Sequence, residues 1–416
     1  MQSNNIYVFD LGTNCMLLDI DSLEKVVISK KELLEYGMEV LHKYKFCEKD
    51  CYIERYVPAE HNVVINPTII TSFKCNYSCE YCFEKKHKKI NSAMNPEDVQ
   101  KIKEFYEIFC ERTSFPFNLG EITVLGGEPL LPENRSVLES IAEMWSGQCI
   151  KITTNGTYMQ NYMDFIVNNN VQLKVSLDGT KTVHYRRRKC LQRDAYDRAV
   201  EGIRQLVKNK VNVKVITVFE SENVSDYPQF FDLLESLGWI KEKELSVGFI
   251  PEIGCGSDDR TTEQIINTIT AYKKLKVSDE RIKYVDARKL IPGSINLMTA
   301  LNNANKNMYE PYRCSCLEKP DYAFFPDGKV HLCAAGSGKA GCIGRYKPDA
   351  EIDFEKIELF RKRRIDTISK CRKCTMKALC TGGCPVTSLA IGNDILEPYC
   401  GFWKNPVFLK YLEEVF

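Results

Sequence analysis

Charge of one sign is what this sequence lacks: 57 Lys and Arg oppose 56 Asp and Glu, a formal +1 at pH 7. So balanced a chain makes no general electrostatic claim on nucleic acid or a membrane surface, and neither is expected as a partner. Long apolar runs are missing too. No window approaches about 18 uninterrupted apolar residues, so no segment is expected to span a bilayer. Met1–Asp10 carries polar Gln2, Ser3, Asn4 and Asn5 and has none of the apolar core of a signal peptide. Core-forming residues are not scarce: 44% hydrophobic and 27% charged exclude wholesale disorder. The 416 residues allow two to four domains at ~100–200 residues each. Cysteine is abundant, with 19 copies. Secreted disulfide scaffolds of this density are far shorter, and an odd count leaves one thiol unpaired. The composition therefore points to a cytoplasmic protein that uses thiolates as metal ligands.

The chain divides into three stretches. In residues 1–60, Ile6–Phe9, Met16–Leu18 and Val26–Ile28 read as strands. Ser29 then caps an expected helix with Leu33, Leu34, Met38, Val40 and Leu41 on its apolar face. Residues 61–305 alternate strands with helices. Strands are expected at Val63–Ile70, Ile122–Leu125, Ile150–Thr153, Leu173–Leu177, Val211–Phe219 and Leu245–Phe249. Helices are expected from the Asn95-Pro96 cap, over Ala195–Lys208 and over Tyr227–Leu237. Six such units imply an α/β fold with a parallel sheet and right-handed crossovers, a partial (β/α)6 barrel. Residues 306–416 lose periodicity and gain cysteines and glycines, as in a segment stapled by something other than a large core.

Cys75, Cys79 and Cys82 follow the first strand of the middle stretch at C-x3-C-x2-C spacing. Three thiolates are one short of closing a zinc site or a four-iron cluster. A loop this tight can wrap one cubane and leave one iron open to a substrate or cofactor. A structural zinc is the alternative, with His87 the one nearby fourth ligand. Gly126-Gly127-Glu128-Pro129, Thr153-Thr154-Asn155-Gly156 and Ser176-Leu177-Asp178-Gly179 each end an expected strand. They fall on the rim where parallel sheets bind ligands, and glycines there let a ligand approach the backbone.

This order of motifs resembles the radical S-adenosylmethionine (radical SAM) superfamily. The resemblance implies a [4Fe–4S] cluster on Cys75, Cys79 and Cys82, whose open iron chelates SAM. It implies cofactor contacts from Tyr81, Gly126, Gly127, Glu128, Thr153, Asn155, Ser176 and Asp178, with Glu128 accepting from the methionine ammonium. Arg188, in the run His184-Tyr185-Arg186-Arg187-Arg188, matches an arginine suited to the SAM carboxylate. Tyr185 departs from the pattern, which has an acidic residue after the histidine.

Cys316-x11-Gly328-x4-Cys333 is followed by Cys371-x2-Cys374-x5-Cys380-x3-Cys384 and, fifteen residues on, Cys400. This seven-cysteine order resembles the SPASM domain of radical SAM peptide-modifying enzymes. The resemblance implies two auxiliary [4Fe–4S] clusters, three clusters in all. Cys371, Cys374, Cys380 and Cys400 would hold one; Cys316, Cys333 and Cys384 would hold the other. Cys314, Cys342 or a substrate thiolate completes the latter set.

Together these segments resemble maturases of ribosomally made peptides, of the ranthipeptide and sactipeptide type. The implied activity is thioether formation between a cysteine sulfur and a carbon of a precursor peptide, through a 5′-deoxyadenosyl radical. Residues 1–60, winged-helix-like, would recognise the leader peptide by strand addition. A flavodoxin or ferredoxin would donate electrons. The alternatives are carbon–carbon crosslinking, formylglycine formation as in anaerobic sulfatase maturases, and, outside enzymes, a structural zinc protein. Sulfatase maturases commonly carry Asp after the G-x4-C cysteine, where this chain has Ala334. No residue is singled out as the catalytic base.

Overall fold

The computed structural model describes residues 6–11, 14–19, 25–29, 31, 64–87, 89–113, 116–251, 262–287, 290, 314–336, 341–372, 374 and 380–401. At the N-terminus, β1 (Ile6–Leu11), β2 (Asn14–Asp19) and β3 (Lys25–Ser29) form an antiparallel sheet with Leu11 opposite Asn14. The apolar face of the helix expected after Ser29 lies outside the described residues.

Strand β4 (Thr68–Ile70) starts later than the apolar run suggests. Pro67 has no N–H to give a ladder, so regular pairing begins only after it. The chain then passes through β5 (Tyr77–Cys79), β6 (Ile122–Leu125), β7 (Ile150–Thr154), β8 (Val171–Ser176), β9 (Arg188–Cys190), β10 (Val213–Val218), β11 (Leu245–Ile250) and β12 (Val285–Asp286). Strands β4, β6, β7, β8, β10, β11 and β12 lie side by side in that order, all parallel. Helices between them supply the crossovers, including Pro96–Thr113, Ala195–Lys208 and Tyr227–Ser236. The first begins as the sequence suggests: Asn95 Oδ1 accepts from the Asp98 amide and Asp98 Oδ2 accepts from the Asn95 amide, both at 3.0 Å. Two otherwise orphaned donors are thereby satisfied reciprocally. Along β7 and β8 alternate residues are buried. Ile150, Ile152, Val171, Leu173 and Val175 join the helix-packed core, leaving Thr153 and Ser176 on the opposite face.

The cysteine-rich C-terminal stretch continues this sheet. Strand β13 (Ala323–Phe324) pairs parallel with β4, and β14 (Lys329–His331), β15 (Cys342–Arg345) and β16 (Glu351–Ile352) follow as an antiparallel meander. The join is apolar. Phe105 and Tyr106 meet Phe324 with ring centroids 5.4 and 5.3 Å apart, and Phe109 meets Tyr322 at 5.8 Å. Tyr106 also donates to the Pro320 carbonyl at 2.9 Å. The segment holding Cys316 and Cys333 is therefore packed beside the strand that leads into Cys75. Among the described residues, no helix is long and apolar enough to cross a membrane.

Candidate active site

The glycine turn after β6 is shaped by backbone packing. A Cβ on Gly126 would stand 2.4 Å from the Ser72 carbonyl oxygen, and one on Gly127 would stand 2.1 Å from that of Lys74. Gly126 also has φ +142°, a conformation that favours glycine. With no side chains between them, the Gly127 amide donates to Ser72 O and the Glu128 amide to Lys74 O, both at 2.8 Å. These bonds fix the chain immediately before Cys75.

Glu128 holds the other side of this join. Its carboxylate accepts from Thr154 Oγ1 at 2.6 Å, the Leu130 amide at 2.9 Å and the Asn155 amide at 2.7 Å. Asn155 in turn donates through Nδ2 to Asn76 Oδ1 at 2.8 Å, and the same nitrogen lies 3.9 Å from Cys75 Sγ. The ends of β6 and β7 thus grip the cysteine loop from one side.

The other side is gripped by a two-stranded antiparallel ribbon that local periodicity does not reveal. Strand β5, within the cysteine loop, pairs antiparallel with β9, setting Cys79 opposite Arg188 and Tyr77 opposite Cys190. Arg188 is buried, donates to Tyr81 Oη at 2.8 Å, and places its guanidinium 5.5 and 5.9 Å from the Tyr77 and Tyr81 ring centroids. The Tyr81 hydroxyl donates to Asp178 Oδ2, and Asp178 Oδ1 accepts from the Val218 amide at 3.1 Å. His184 accepts at Nδ1 from the Asp178 amide at 3.2 Å. Burial, with Arg188 adding to it, lowers His184 to about 3, so the ring is neutral.

A cavity of about 340 Å³ lies between these two grips. Cys75, Cys79 and Cys82 line it, as do Tyr81, Gly126, Gly127, Thr153, Asn155, Ser176, Asp178 and Arg188. Glu128 does not line it; its carboxylate is turned into the loop-to-strand contacts described above. Ile216, Val218, Ile250 and Pro251, from the ends of β10 and β11, form an apolar wall. Glu84, two residues past Cys82, also reaches the cavity. It has no hydrogen-bond partner among the described residues, and burial, with Glu128 nearby, pushes its carboxyl up to about 8. In Phe83-Glu84-Lys85-Lys86 it reads as one charge among several, and only its closeness to Cys82 hints at the site.

Burial, and next Glu128, push the Cys75 thiol up to about 12; burial also raises Cys79. Iron binding would displace these protons. The residues present fit an iron–sulfur cluster with SAM beside it. Three soft thiols face one cavity, and the buried Nε–H of Arg188 has no acceptor, as an incoming carboxylate would require. Among the described residues, no three His, Cys, Asp or Glu side chains converge closely enough to hold a single metal ion.

The second cysteine group gathers in the C-terminal stretch. Cys314 and Cys316 bring their sulfurs to 3.2 Å, with Cys333 and Cys384 within electrostatic reach. Cys342 instead donates to the Gly344 carbonyl at 3.3 Å. Cys371 and Cys380 are buried, and Cys374 and Cys400 are half-buried.

Fold and site define a class: an α/β enzyme whose cofactor cavity lies at the C-terminal ends of parallel strands, with three thiols on one wall. The comparisons with known proteins agree. The model of the radical SAM superfamily matches residues 69–234. A serine-type anaerobic sulfatase-maturating enzyme of Klebsiella aerogenes is 22% identical over 342 residues, 79% of this chain and 80% of that protein. A GTP 3′,8-cyclase of Clostridium perfringens (strain 13 / Type A) is 22% identical over 271 residues, 62% of this chain and 77% of that one. The structure of Streptococcus suis SuiB bound to precursor peptide SuiA superimposes with a TM-score of 0.55 at 13% identity, covering 98% of this chain and 99% of that chain. Residues 69–234 carry a radical SAM domain, and that domain supports SAM binding and catalytic, oxidoreductase-type activity.

Proposed function

We propose that this enzyme oxidatively modifies a residue of a peptide substrate. The observation that carries the reading is the single cavity on which the three thiols, the glycine turn and the strand-end polar groups meet, with an apolar wall at Ile216, Val218, Ile250 and Pro251. Cys75, Cys79 and Cys82 would hold the SAM-binding cluster, and Arg188 would take the SAM carboxylate. The cofactors, when bound, supply one-electron cleavage of the sulfonium and hydrogen-atom abstraction from the substrate. The chain's own residues orient the cofactor and keep water out. Tyr81 and Asp178 hold Arg188, Asn155 holds the cysteine loop, and the apolar wall excludes solvent from the reacting carbon.

A peptide is favoured over a nucleotide by coverage. The sulfatase-maturating relative matches 79% of the chain and peptide-bound SuiB 98%, whereas the cyclase match covers 62%. Among peptide chemistries, formylglycine formation or another radical modification has more support from these relatives than thioether crosslinking. Residues 306–416 would carry two auxiliary clusters. Cys371, Cys374, Cys380 and Cys400 suit one; the proximity of Cys314 to Cys316 and to Cys333 favours Cys314 over Cys342 in the other. Residues 1–60 would offer a sheet edge to a leader peptide, ahead of a core at 61–305. A flavodoxin or ferredoxin would serve as reductant, in a cytoplasmic setting.

Co-expression with candidate peptides, followed by mass spectrometry, tests this reading. A crosslink, or serine oxidised to formylglycine, appears as loss of two hydrogens; cysteine oxidised to formylglycine appears as a thiol replaced by an aldehyde. SAM cleavage with no peptide altered, and a nucleotide consumed instead, would overturn it.

A further inference from the structure

Arg363 is the largest fully buried side chain among the described residues, and the radical SAM chemistry above gives it no task. Its donors are taken by backbone carbonyls. Nη1 donates to Ile395 and, at 2.6 Å, to Glu397, and Nη2 donates to Gly382 at 3.0 Å. Carbonyl dipoles satisfy N–H groups, but they do not neutralise a guanidinium, which stays protonated in proteins. A buried cation without an anion is strongly unfavourable. Among the described residues, no carboxylate pairs with Arg363. Burial pulls the Arg363 guanidinium below its ordinary range, and the groups that act against burial are the sulfurs of Cys371, Cys384, Cys314 and Cys380, in their thiolate form. They come from both cysteine sets. Gly382, whose carbonyl Arg363 holds, would place a Cβ 4.0 Å from Cys371 Sγ.

We infer that Arg363 is the shared counter-charge of the two auxiliary clusters, a positioning residue that raises their reduction potentials while tying their ligand loops together. The inference rests on the auxiliary-cluster reading above. A four-iron cluster with four thiolates is anionic and becomes more so on taking an electron. A fixed cation beside it therefore stabilises the reduced state more than the oxidised one. The three carbonyls Arg363 holds come from the Cys380–Cys384 loop and from the segment before Cys400, so one side chain serves both sets.

The test uses the full chain with Cys75, Cys79 and Cys82 changed to Ala, reconstituted anaerobically, so that only auxiliary iron is seen. About eight irons are expected for two cubanes; their absence with Arg363 intact refutes the auxiliary-cluster reading itself. Arg363→Gln and Arg363→Lys are then compared by iron content, circular dichroism and redox titration followed by electron paramagnetic resonance. With iron retained, Gln shifts the reduction equilibrium at least tenfold toward the oxidised state, about 59 mV for one electron, and Lys shifts it less than about threefold. An unshifted Gln variant, or a Lys variant shifted as far as Gln, overturns the inference. If Gln loses iron while Lys keeps it, with the fold intact in both, the charge is required as inferred. If both lose it, the carbonyl bonds rather than the charge are what matters, and the inference fails.

Discussion

Replacing Glu128 with glutamine changes one atom in a carboxylate that accepts three hydrogen bonds. Oε1 accepts from Thr154 Oγ1 and the Leu130 amide; Oε2 accepts from the Asn155 amide at 2.7 Å. All the groups bonded to it are donors, so the arrangement fits the ionised form, although burial raises this carboxyl above its ordinary range. The glutamine oxygen can serve the Thr154 and Leu130 side. Its NH2 group then faces the Asn155 N–H, donor against donor. One charge-assisted bond, worth about 1.5–3 kcal/mol, is lost, and a buried N–H is left unsatisfied at about 1–3 kcal/mol. Because part of each cost is relieved by small shifts, the net loss of stability is about 2–4 kcal/mol. Equilibrium urea unfolding of the intact chain measures it. The damage also passes to the cysteine loop through the Asn155–Asn76 bond, so SAM affinity measured calorimetrically on the loaded enzyme falls as well. A Glu128→Gln variant within about 0.5 kcal/mol of wild type, with unchanged SAM affinity, would refute the claim that this carboxylate staples the site.

Other expectations follow from the same geometry. Tyr81→Phe removes the hydroxyl between Asp178 and Arg188, leaving both short of a partner at about 1–3 kcal/mol; thermal and urea unfolding report the loss, and no change would mean the triad is not formed. Gly127→Ala drives a Cβ to 2.1 Å from the Lys74 carbonyl oxygen, whereas Gly147→Ala meets nothing within 4 Å. The first is expected to cost about 3 kcal/mol or more and the second about 1 kcal/mol, from its positive φ alone; equal costs would contradict the packing described. Burial lowers His184 to about 3, and lowers His87 and His331 to about 4, below the ~6.5 of an unfolded chain. The unfolded state therefore binds more protons across that window. The histidine contribution is full above about pH 6.5 and falls toward pH 4, each histidine removing up to about 1.4 kcal/mol per pH unit, while Glu84, held protonated in the fold up to about 8, offsets one of the three. Urea midpoints at pH 7, 6 and 5 check the slope, and a flat profile would count against neutral buried histidines.

Much of this site could be read from local sequence because its parts end strands. Cys75, Gly126-Gly127, Asn155, Ser176 and Asp178 each follow an apolar run of strand length, and parallel β/α topology brings all such ends to one rim. The helix Ala195–Lys208 could be read for a similar reason: its apolar period is long and uninterrupted. What stayed hidden depends on contacts distant in sequence. The pairing of Cys79 with Arg188 uses two three-residue strands more than a hundred residues apart, too short to leave a period. The weld of β13 to β4 involves two residues, Ala323 and Phe324, in a stretch that otherwise reads as loop. The orientation of Glu128 was equally hidden. The motif shows a carboxylate at the rim, but only the positions of the Thr154 hydroxyl and the Asn155 amide turn it away from the cavity. Arg363 reads as one of several charges in Arg361-Lys362-Arg363-Arg364, and nothing local marks it as buried.

Cys75, Cys79 and Cys82 are expected together to hold the iron at which SAM binds and is cleaved. Quantifying 5′-deoxyadenosine from the anaerobically reconstituted, chemically reduced chain tests it most directly, with Cys75→Ala run beside the wild type. Roughly twelve irons per wild-type chain are expected, with nucleoside formed from SAM and none from the variant. Nucleoside release by Cys75→Ala at the wild-type rate, or a wild-type chain that binds zinc and leaves SAM intact, would contradict it.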